Sequence, residues 1–179
     1  MSVYFGGSRN PQNISYSQVR AVVYMVAAHS ESVHVGCQLG ADQAVISAAH
    51  SFTPLHIFTV APQSSAPAHV LASVSTGHAV GHFSAGGQSA PIPARFLLRS
   101  IAAFQGCSQA VFFSPGAGSL AVARECVRSG LQVFAFQQEP PAPIPSCRGQ
   151  WCITWFYGFQ CWGWGTLPEP QEKQLSLFS

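Results

Sequence analysis

Three short turns carry the residues whose types and spacing suit chemistry on a phosphate. Each turn follows an apolar segment typical of a buried strand and precedes a segment with helical spacing. The turns span residues 6–9, 36–40 and 116–119. In an open parallel sheet such turns gather at the carboxyl ends of the strands, where ligands bind. Glycine lets backbone amides approach a phosphate closely, and a helix amino terminus adds partial positive charge. Together the turns predict a phosphate-binding site, although glycines that merely close tight turns would give the same pattern.

The side chains of these turns predict which groups would contact the phosphate. We expect Ser8 and Ser119 to donate hydroxyl hydrogen bonds to a ligand, and Arg9 to bind a phosphate in bidentate fashion. None of the turns matches GxGxxG or GxxxxGK[ST], so neither a dinucleotide site nor a Walker-type site is predicted.

Three further charged residues are candidates for the site. Asp42 opens a predicted helix, where it would compensate the helix dipole or hold a ribose or a base. Arg95 and Arg99 are one helical turn apart and are therefore expected to share a face. They would bind phosphate, or else pair with Asp42 or Glu125.

The composition limits the classes of function. A length of 179 residues suits one domain, and 47% apolar residues indicate a globular protein. Only 8% of residues are charged and the net charge is +2, so there is no strong field to steer polyanions. Nucleic-acid binding would rest on local sites, and the low charge is also compatible with a homo-oligomer.

No apolar run reaches the ~20 residues of a membrane span. The six cysteines suggest no disulfide framework and no secretory signal precedes them, which predicts a cytoplasmic protein.

The order of the segments predicts the fold class. Strands are expected at 2–5, 32–37, 55–60, 78–83, 109–114 and 131–136, and helices at 13–29, 40–50, 69–77, 95–105 and 120–129, with loops at 84–93 and 115–119. This alternation predicts an α/β protein with a Rossmann-like open, mostly parallel sheet and helices on both faces.

The chain changes character after residue 137. We expect a Rossmann domain over 1–137, a proline-linked extension over 138–165 and a flexible tail over 166–179. The extension holds all four tryptophans and predicts a β-hairpin on the edge of the domain. Its tryptophans would seal a sheet edge or an oligomer interface, or alternatively stack nucleobases. Its cysteines, Cys147, Cys152 and Cys161, form no CxxC pair and no histidine lies beyond residue 82, so no metal site is expected.

Three stretches carry a family resemblance: GGSR at 6–9, VGCQLGADQAVISAA at 35–49, and the stretch from PARFLLRS to LQVFAF at 93–136. In order and spacing they resemble the Rossmann-like group that contains the DNA-processing protein DprA and the LOG-type nucleotide-binding proteins, the SLOG superfamily. The resemblance implies that nucleotides, nucleotide-derived ligands or single-stranded DNA bind above the sheet. The matching positions, with Arg99 added from the same helix, are Gly7, Ser8, Arg9, Gly40, Asp42, Arg95, Arg99, Gly118 and Ser119.

One departure from the family bears on catalysis. LOG-type phosphoribohydrolases carry an acidic pair just after their PGGxGT turn, whereas here Ala121 and Val122 follow Ser119-Leu120. The catalytic carboxylates that the family implies are therefore missing. We expect a site that binds without catalysis, with no cofactor, and the Gly-Ser-Leu form is closer to DprA.

The last residues suggest a partner. The pentapeptide QLSLF at 174–178 resembles the motif by which bacterial proteins bind the DNA polymerase sliding clamp. Leu175, Leu177 and Phe178 would enter an apolar pocket while Gln174 forms hydrogen bonds. The alternative is a tail whose apolar end packs on its own domain. The leading hypothesis is a DprA-like accessory of replication or recombination that binds single-stranded DNA or a nucleotide and is recruited to the clamp. The alternative is a sensor or sequestering protein for a nucleotide-derived signal.

Overall fold

The computed structural model of the protein describes residues 1–29, 32–49, 54–87 and 89–165. The strands are β1 Ser2–Gly7, β2 Ser32–Val35, β3 Leu55–Phe58, β4 Ala79–His82, β5 Gln109–Phe113, β6 Gln132–Phe136, β7 Gln150–Phe156 and β8 Phe159–Gly165. The α-helices are α1 Tyr16–His29, α2 Ala41–Ala49, α3 Ala68–Ser75, α4 Ile92–Phe104 and α5 Ala117–Arg128.

All eight strands belong to one sheet in the order β4-β3-β2-β1-β5-β6-β8-β7. Strands β1 to β6 are parallel, while β8 runs antiparallel to both β6 and β7. The predicted Rossmann-like, mostly parallel sheet is thus confirmed. From β1 the chain first adds strands on one side, and β5 then returns to the other side of β1. The carboxyl ends of β1 and β5 therefore form the switch point at which open α/β sheets bind ligands.

Helices cover both faces of the sheet because its strands are apolar on both sides. Tyr4 and Phe5 are neighbours on β1 and point to opposite faces, as strand geometry requires. Phe5 belongs to the core beneath α1, α2 and α3, and Tyr4 to the core beneath α4 and α5. The predicted two-sided arrangement is confirmed.

The helices begin at places that differ by a few residues from the prediction. α1 begins at Tyr16 and not at Asn13, because a short 3₁₀ turn precedes it and Ser15 caps it by accepting a backbone N–H at 3.4 Å. α4 begins at Ile92, three residues before the predicted Arg95, since proline is tolerated in the first turn of a helix. α5 begins at Ala117, so part of the predicted 115–119 loop is already helical.

The predicted hairpin is present and extends the sheet at the β6 edge, where Phe134 is paired with Gly163. The indole N–H groups of Trp151 and Trp162 donate to backbone carbonyls at 2.9 and 3.2 Å, which fixes both rings. Trp155 is 68% exposed, so the tryptophans only partly cover this edge. All six cysteines are free thiols.

Two further searches concern the described residues alone. Within them no group of three or more histidine, cysteine or acidic side chains is arranged to hold a metal ion. No helix of the described ranges combines the length and apolar character that crossing a membrane requires.

Candidate functional site

A cavity of about 540 Å³ opens at the carboxyl ends of β1 and β5, at the switch point of the sheet. Its walls come from the turns that follow β1, β2 and β5, and from α4 and α5. This volume lies within the range of ordinary small-molecule sites. Seven of the nine residues predicted for the site line it: Gly7, Ser8, Arg9, Asp42, Arg99, Gly118 and Ser119.

The turn after β1 is held in place from three sides. The Ser8 N–H donates to the Phe113 carbonyl at 2.9 Å, and the Ser8 carbonyl accepts from the Ala41 N–H at 2.9 Å. The Ser119 hydroxyl donates to the Gly7 carbonyl at 2.8 Å. Hydrogen bonds therefore join the turns after β1, β2 and β5 into one connected unit at the floor of the cavity.

Gly40 supports this unit from outside the cavity. Its backbone has φ of +85°, a region that favours glycine, and a Cβ at this position would collide with the Ser8 carbonyl oxygen. Gly40 does not line the cavity. The structure therefore gives it a supporting role in positioning the turn after β1, where the sequence predicted a ligand contact.

Both serines line the cavity, and in this structure their hydroxyls form hydrogen bonds within the protein. The Ser119 hydroxyl donates to the Gly7 carbonyl and so provides this carbonyl oxygen with a hydrogen-bond donor. Ser8 Oγ accepts the Asn10 N–H at 3.1 Å within its own turn. That Ser8 and Ser119 donate to a ligand therefore stays a prediction, and the donors that this structure leaves open toward the cavity include backbone N–H groups and arginine.

The amino end of α5 supplies such backbone donors. Its first intrahelical bond runs from the Leu120 N–H to the Gly116 carbonyl, and Gly116 provides no side-chain cap. The N–H groups of residues 117–119 consequently have no partner within the helix. A Cβ at Gly116 or Gly118 would meet no atom within 4 Å, so this end of the helix is open toward the cavity. Together with the helix dipole, these groups favour an anion.

Arg9 adds a full positive charge to the same wall. It is exposed, and its guanidinium carbon lies 5.1 Å from the centroid of the Phe96 ring. This cation–π contact holds the guanidinium beside the cavity. Phe96 is not among the predicted site residues, although its position three residues before Arg99 places it on the helix face that carries the site.

Arg99 and Asp42 form a buried ion pair beneath the opening. Arg99 Nη1 lies 3.7 Å from Asp42 Oδ2, and the two side chains are 7% and 8% exposed. Asp42 Oδ2 also accepts the Gln38 N–H at 3.1 Å. Burial raises the pKa of Asp42, and the Arg99 charge limits the rise. Of the predicted alternatives for Arg99, the pairing with Asp42 is the one that the structure contains, while Glu125 pairs with arginines of its own helix.

Glycine at position 36 makes room for this ion pair. A Cβ on Gly36 would collide with Asp42 Oδ2 and would lie 2.6 Å from Arg99 Nη1. The pair thus crosses directly over the end of β2, and any side chain there would separate its two members.

Arg95 contacts the segment that precedes α4. Its Nε–H donates to the Ala90 carbonyl at 2.6 Å, and it does not line the cavity. Arg95 and Arg99 are one turn apart on α4, as predicted, but of the two only Arg99 lines the cavity, and a phosphate contact of Arg95 stays a prediction. Gly86, in the segment before α4, packs against the helix's first turn, where a Cβ on it would collide with the Arg95 carbonyl oxygen.

The assembled wall is suited to holding one anionic group beside an apolar surface. Its exposed charge is Arg9, its backbone donors are those of α5, and Phe96 and Leu97 supply the apolar part. Asp42 is the carboxylate among the lining residues, and Arg99 already engages it. A nucleotide combines a phosphate with a flat base whose face can pack on an aromatic side chain.

The comparisons with known proteins concern the fold. No protein-family model and no curated protein sequence matches the chain. Among solved structures, DNA processing protein A (DprA) from Streptococcus pneumoniae matches with a TM-score of 0.61 and 19% identity, over 81% of this chain and 52% of that one. DprA from Helicobacter pylori, in a structure that describes its single-stranded DNA binding mode, matches with a TM-score of 0.64 and 16% identity, over 78% and 66%. The chain thus matches between half and two thirds of each relative's length, and it has the Rossmann-type fold of DprA.

Proposed function

We propose that this chain is a DprA-like protein of DNA recombination or replication that binds single-stranded DNA through its switch-point cavity. The observation that carries the proposal is the open amino end of α5, which faces the cavity beside the exposed Arg9. One backbone phosphate would accept from the N–H groups of residues 117–119 and from Arg9, with its base against the Phe96 side of the cavity. The shared fold with a protein described as binding single-stranded DNA supports the choice of ligand.

The charges of the cavity wall limit how many phosphates are bound. Arg99 is neutralised by Asp42, so Arg9 is the exposed cation among the lining residues. The logarithm of single-strand affinity falls with the logarithm of salt concentration at a slope of about −0.7 per neutralised phosphate. Because one phosphate is assigned here, we expect a slope of about −0.7. Affinity would therefore depend on the helix end and the base contact more than on a basic surface.

Arg9→Ala is expected to weaken binding of oligothymidylate by roughly 10- to 100-fold. The reason is that a hydrogen bond to a charged group contributes about 1.5–3 kcal/mol. Fluorescence anisotropy with a labelled oligonucleotide measures the affinity, and thermal unfolding should be nearly unchanged because Arg9 is exposed.

Arg128→Ala is the matched control for this experiment. It removes the same charge from the carboxyl end of α5, far from the end that lines the cavity. Equal losses of affinity in the two variants would show that general charge, and not the cavity, binds the DNA.

A small nucleotide-derived ligand is the second candidate. Two observations favour it, namely a cavity of about 540 Å³ and a net charge of only +2. Competition distinguishes the two candidates: a mononucleotide that displaces the labelled oligonucleotide at similar concentrations would identify a small ligand. Displacement only by longer strands would identify the polymer.

We further propose that the carboxyl-terminal tail recruits the protein to the bacterial sliding clamp. The motif residues Gln174, Leu175, Leu177 and Phe178 lie outside the described residues, so the proposal rests on the pentapeptide sequence alone. Calorimetry with purified clamp should detect modest binding by the full chain and none by a chain truncated after Glu172. Equal binding by the two chains would rule out the tail as the recruiting element.

A further inference from the structure

Three histidines form a row across neighbouring strands, on the face of the sheet that α4 covers. His34 on β2 is paired in register with His56 on β3, and their ring centroids lie 4.7 Å apart. His82 on β4 continues the row, with its centroid 5.2 Å from that of His56. All three side chains are half-buried. The row lies outside the cavity wall and has no part in the proposed function.

The contact between His56 and His82 is a hydrogen bond between two imidazoles. His56 Nδ1 lies 3.0 Å from His82 Nε2, and the ring planes differ by 19°. With facing nitrogens this close and centroids 5.2 Å apart, the rings meet edge to edge. A metal ion held by this pair would need further ligands, and the described residues contain no group of three or more histidine, cysteine or acidic side chains arranged to hold one. The observed spacing suits a shared proton.

The number of protons on this pair decides whether the bond exists. One facing nitrogen must donate and the other must accept, so the neutral pair satisfies both. One added proton leaves this bond intact, and the Phe58 ring, parallel to His82 at 4.2 Å, partly stabilises the charge. A second proton turns both facing nitrogens into donors, which breaks the bond and sets two positive charges against each other.

The surroundings offer little to offset those charges. On β2, His34 Nδ1 donates to the Ala103 carbonyl of α4 at 2.7 Å. The charged residues of α4, Arg95 and Arg99, are engaged with the Ala90 carbonyl and with Asp42. Burial lowers the pKa of each of the three histidines, and neighbouring imidazoles lower those of His34 and His56 further.

We propose that the His56–His82 pair, with His34 beside it, is a proton-sensitive latch that holds the edge strand β4 on the sheet. β4 pairs with β3 alone at the end of the sheet. The chain runs from β4 through the segment that packs against the first turn of α4, the helix that carries Phe96 and Arg99. Acidification therefore loosens β4 first and the α4 wall of the cavity second.

The sign of the pH dependence follows from the direction of the shifts. The folded pKa values lie below the ordinary histidine value of about 6.5, so the unfolded chain takes up protons first as the pH falls. The stability contributed by the pair is complete above about pH 6.5 and is lost as the pH falls through the folded pKa values.

Amide hydrogen exchange of β4 in the full-length protein tests the latch. After correction for intrinsic exchange, protection of residues 79–82 should fall at least tenfold between about pH 7.5 and about pH 5. His82→Gln retains a side-chain amide for the bond to His56 but does not titrate, so its protection should stay nearly constant. His29→Gln, at an exposed histidine, should behave as the unsubstituted protein does. An equal fall in His82→Gln would overturn the proposal.

A second measurement needs no variant. The ring resonances of His56 and His82, followed by NMR in the unsubstituted protein, should titrate in two separated steps, the second well below pH 6.5. Two independent titrations at the ordinary pKa would contradict the latch. Neither experiment involves a ligand, so failure here is distinguishable from failure of the proposed DNA binding.

Discussion

Replacing Arg99 by methionine is expected to lower the free energy of unfolding by about 3–5 kcal/mol, because it leaves a buried carboxylate without its counter-charge. Asp42 would keep one hydrogen bond, from the Gln38 N–H. Solvent would compensate little of its charge, because only 8% of the Asp42 side chain is exposed. Urea-induced unfolding followed by circular dichroism gives the value. Such a loss would be a large part of the stability of a small domain.

Two further variants distinguish loss of the ion pair from loss of side-chain packing as the cause of the lower stability. In the double variant Arg99→Met/Asp42→Asn, residue 42 no longer carries a charge. This variant should therefore be more stable than Arg99→Met alone. Arg20→Met, on the exposed side of α1, should change stability by less than about 0.5 kcal/mol. An Arg99→Met protein as stable as the unsubstituted one would refute a structural role for the pair.

Gly118→Asp should raise the stability of the protein and yet lower its affinity for single-stranded DNA at least 100-fold. Within a helix aspartate is only about 0.3 kcal/mol better than glycine, but a carboxylate in the first turn gains a further ~0.3–1 kcal/mol from the helix dipole. A Cβ fits here without contact. The same carboxylate, however, would occupy the position that we assign to the phosphate, and its charge would repel the phosphate.

Gly118→Asn controls for the size of the new side chain. It has nearly the shape of aspartate without the charge, so its affinity should lie between those of Gly118→Asp and the unsubstituted protein. Anisotropy and thermal unfolding on the same samples measure both quantities. If Gly118→Asp bound oligothymidylate normally, no phosphate could lie at the amino end of α5.

The fold follows from the sequence to a large extent, because strands buried on both faces and amphipathic helices alternate regularly up to residue 136. This pattern predicts the parallel sheet, the crossovers and the place where the turns converge. The aromatic hairpin was also predictable, from two apolar runs separated by Tyr157-Gly158. The starts of α4 and α5 were not, because proline and glycine before a helix resemble a loop.

The details of the site depended on contacts between distant segments. Helical spacing places Arg95 and Arg99 on one face, but Arg95 donates to the Ala90 carbonyl of the segment before α4. Nothing in the sequence shows that the Ser119 hydroxyl meets the Gly7 carbonyl, 112 residues away. The histidine row depends in the same way on the register between strands, which a single sequence does not specify.

The most direct test of the proposed DNA site is a crystal structure of the protein with a short oligothymidylate. A phosphate should lie within hydrogen-bond distance of the Gly118 N–H and of the Arg9 guanidinium, with a base on the Phe96 side of the cavity. An oligonucleotide bound elsewhere, for example on the exposed Trp155 of the hairpin with the cavity empty, would contradict the account.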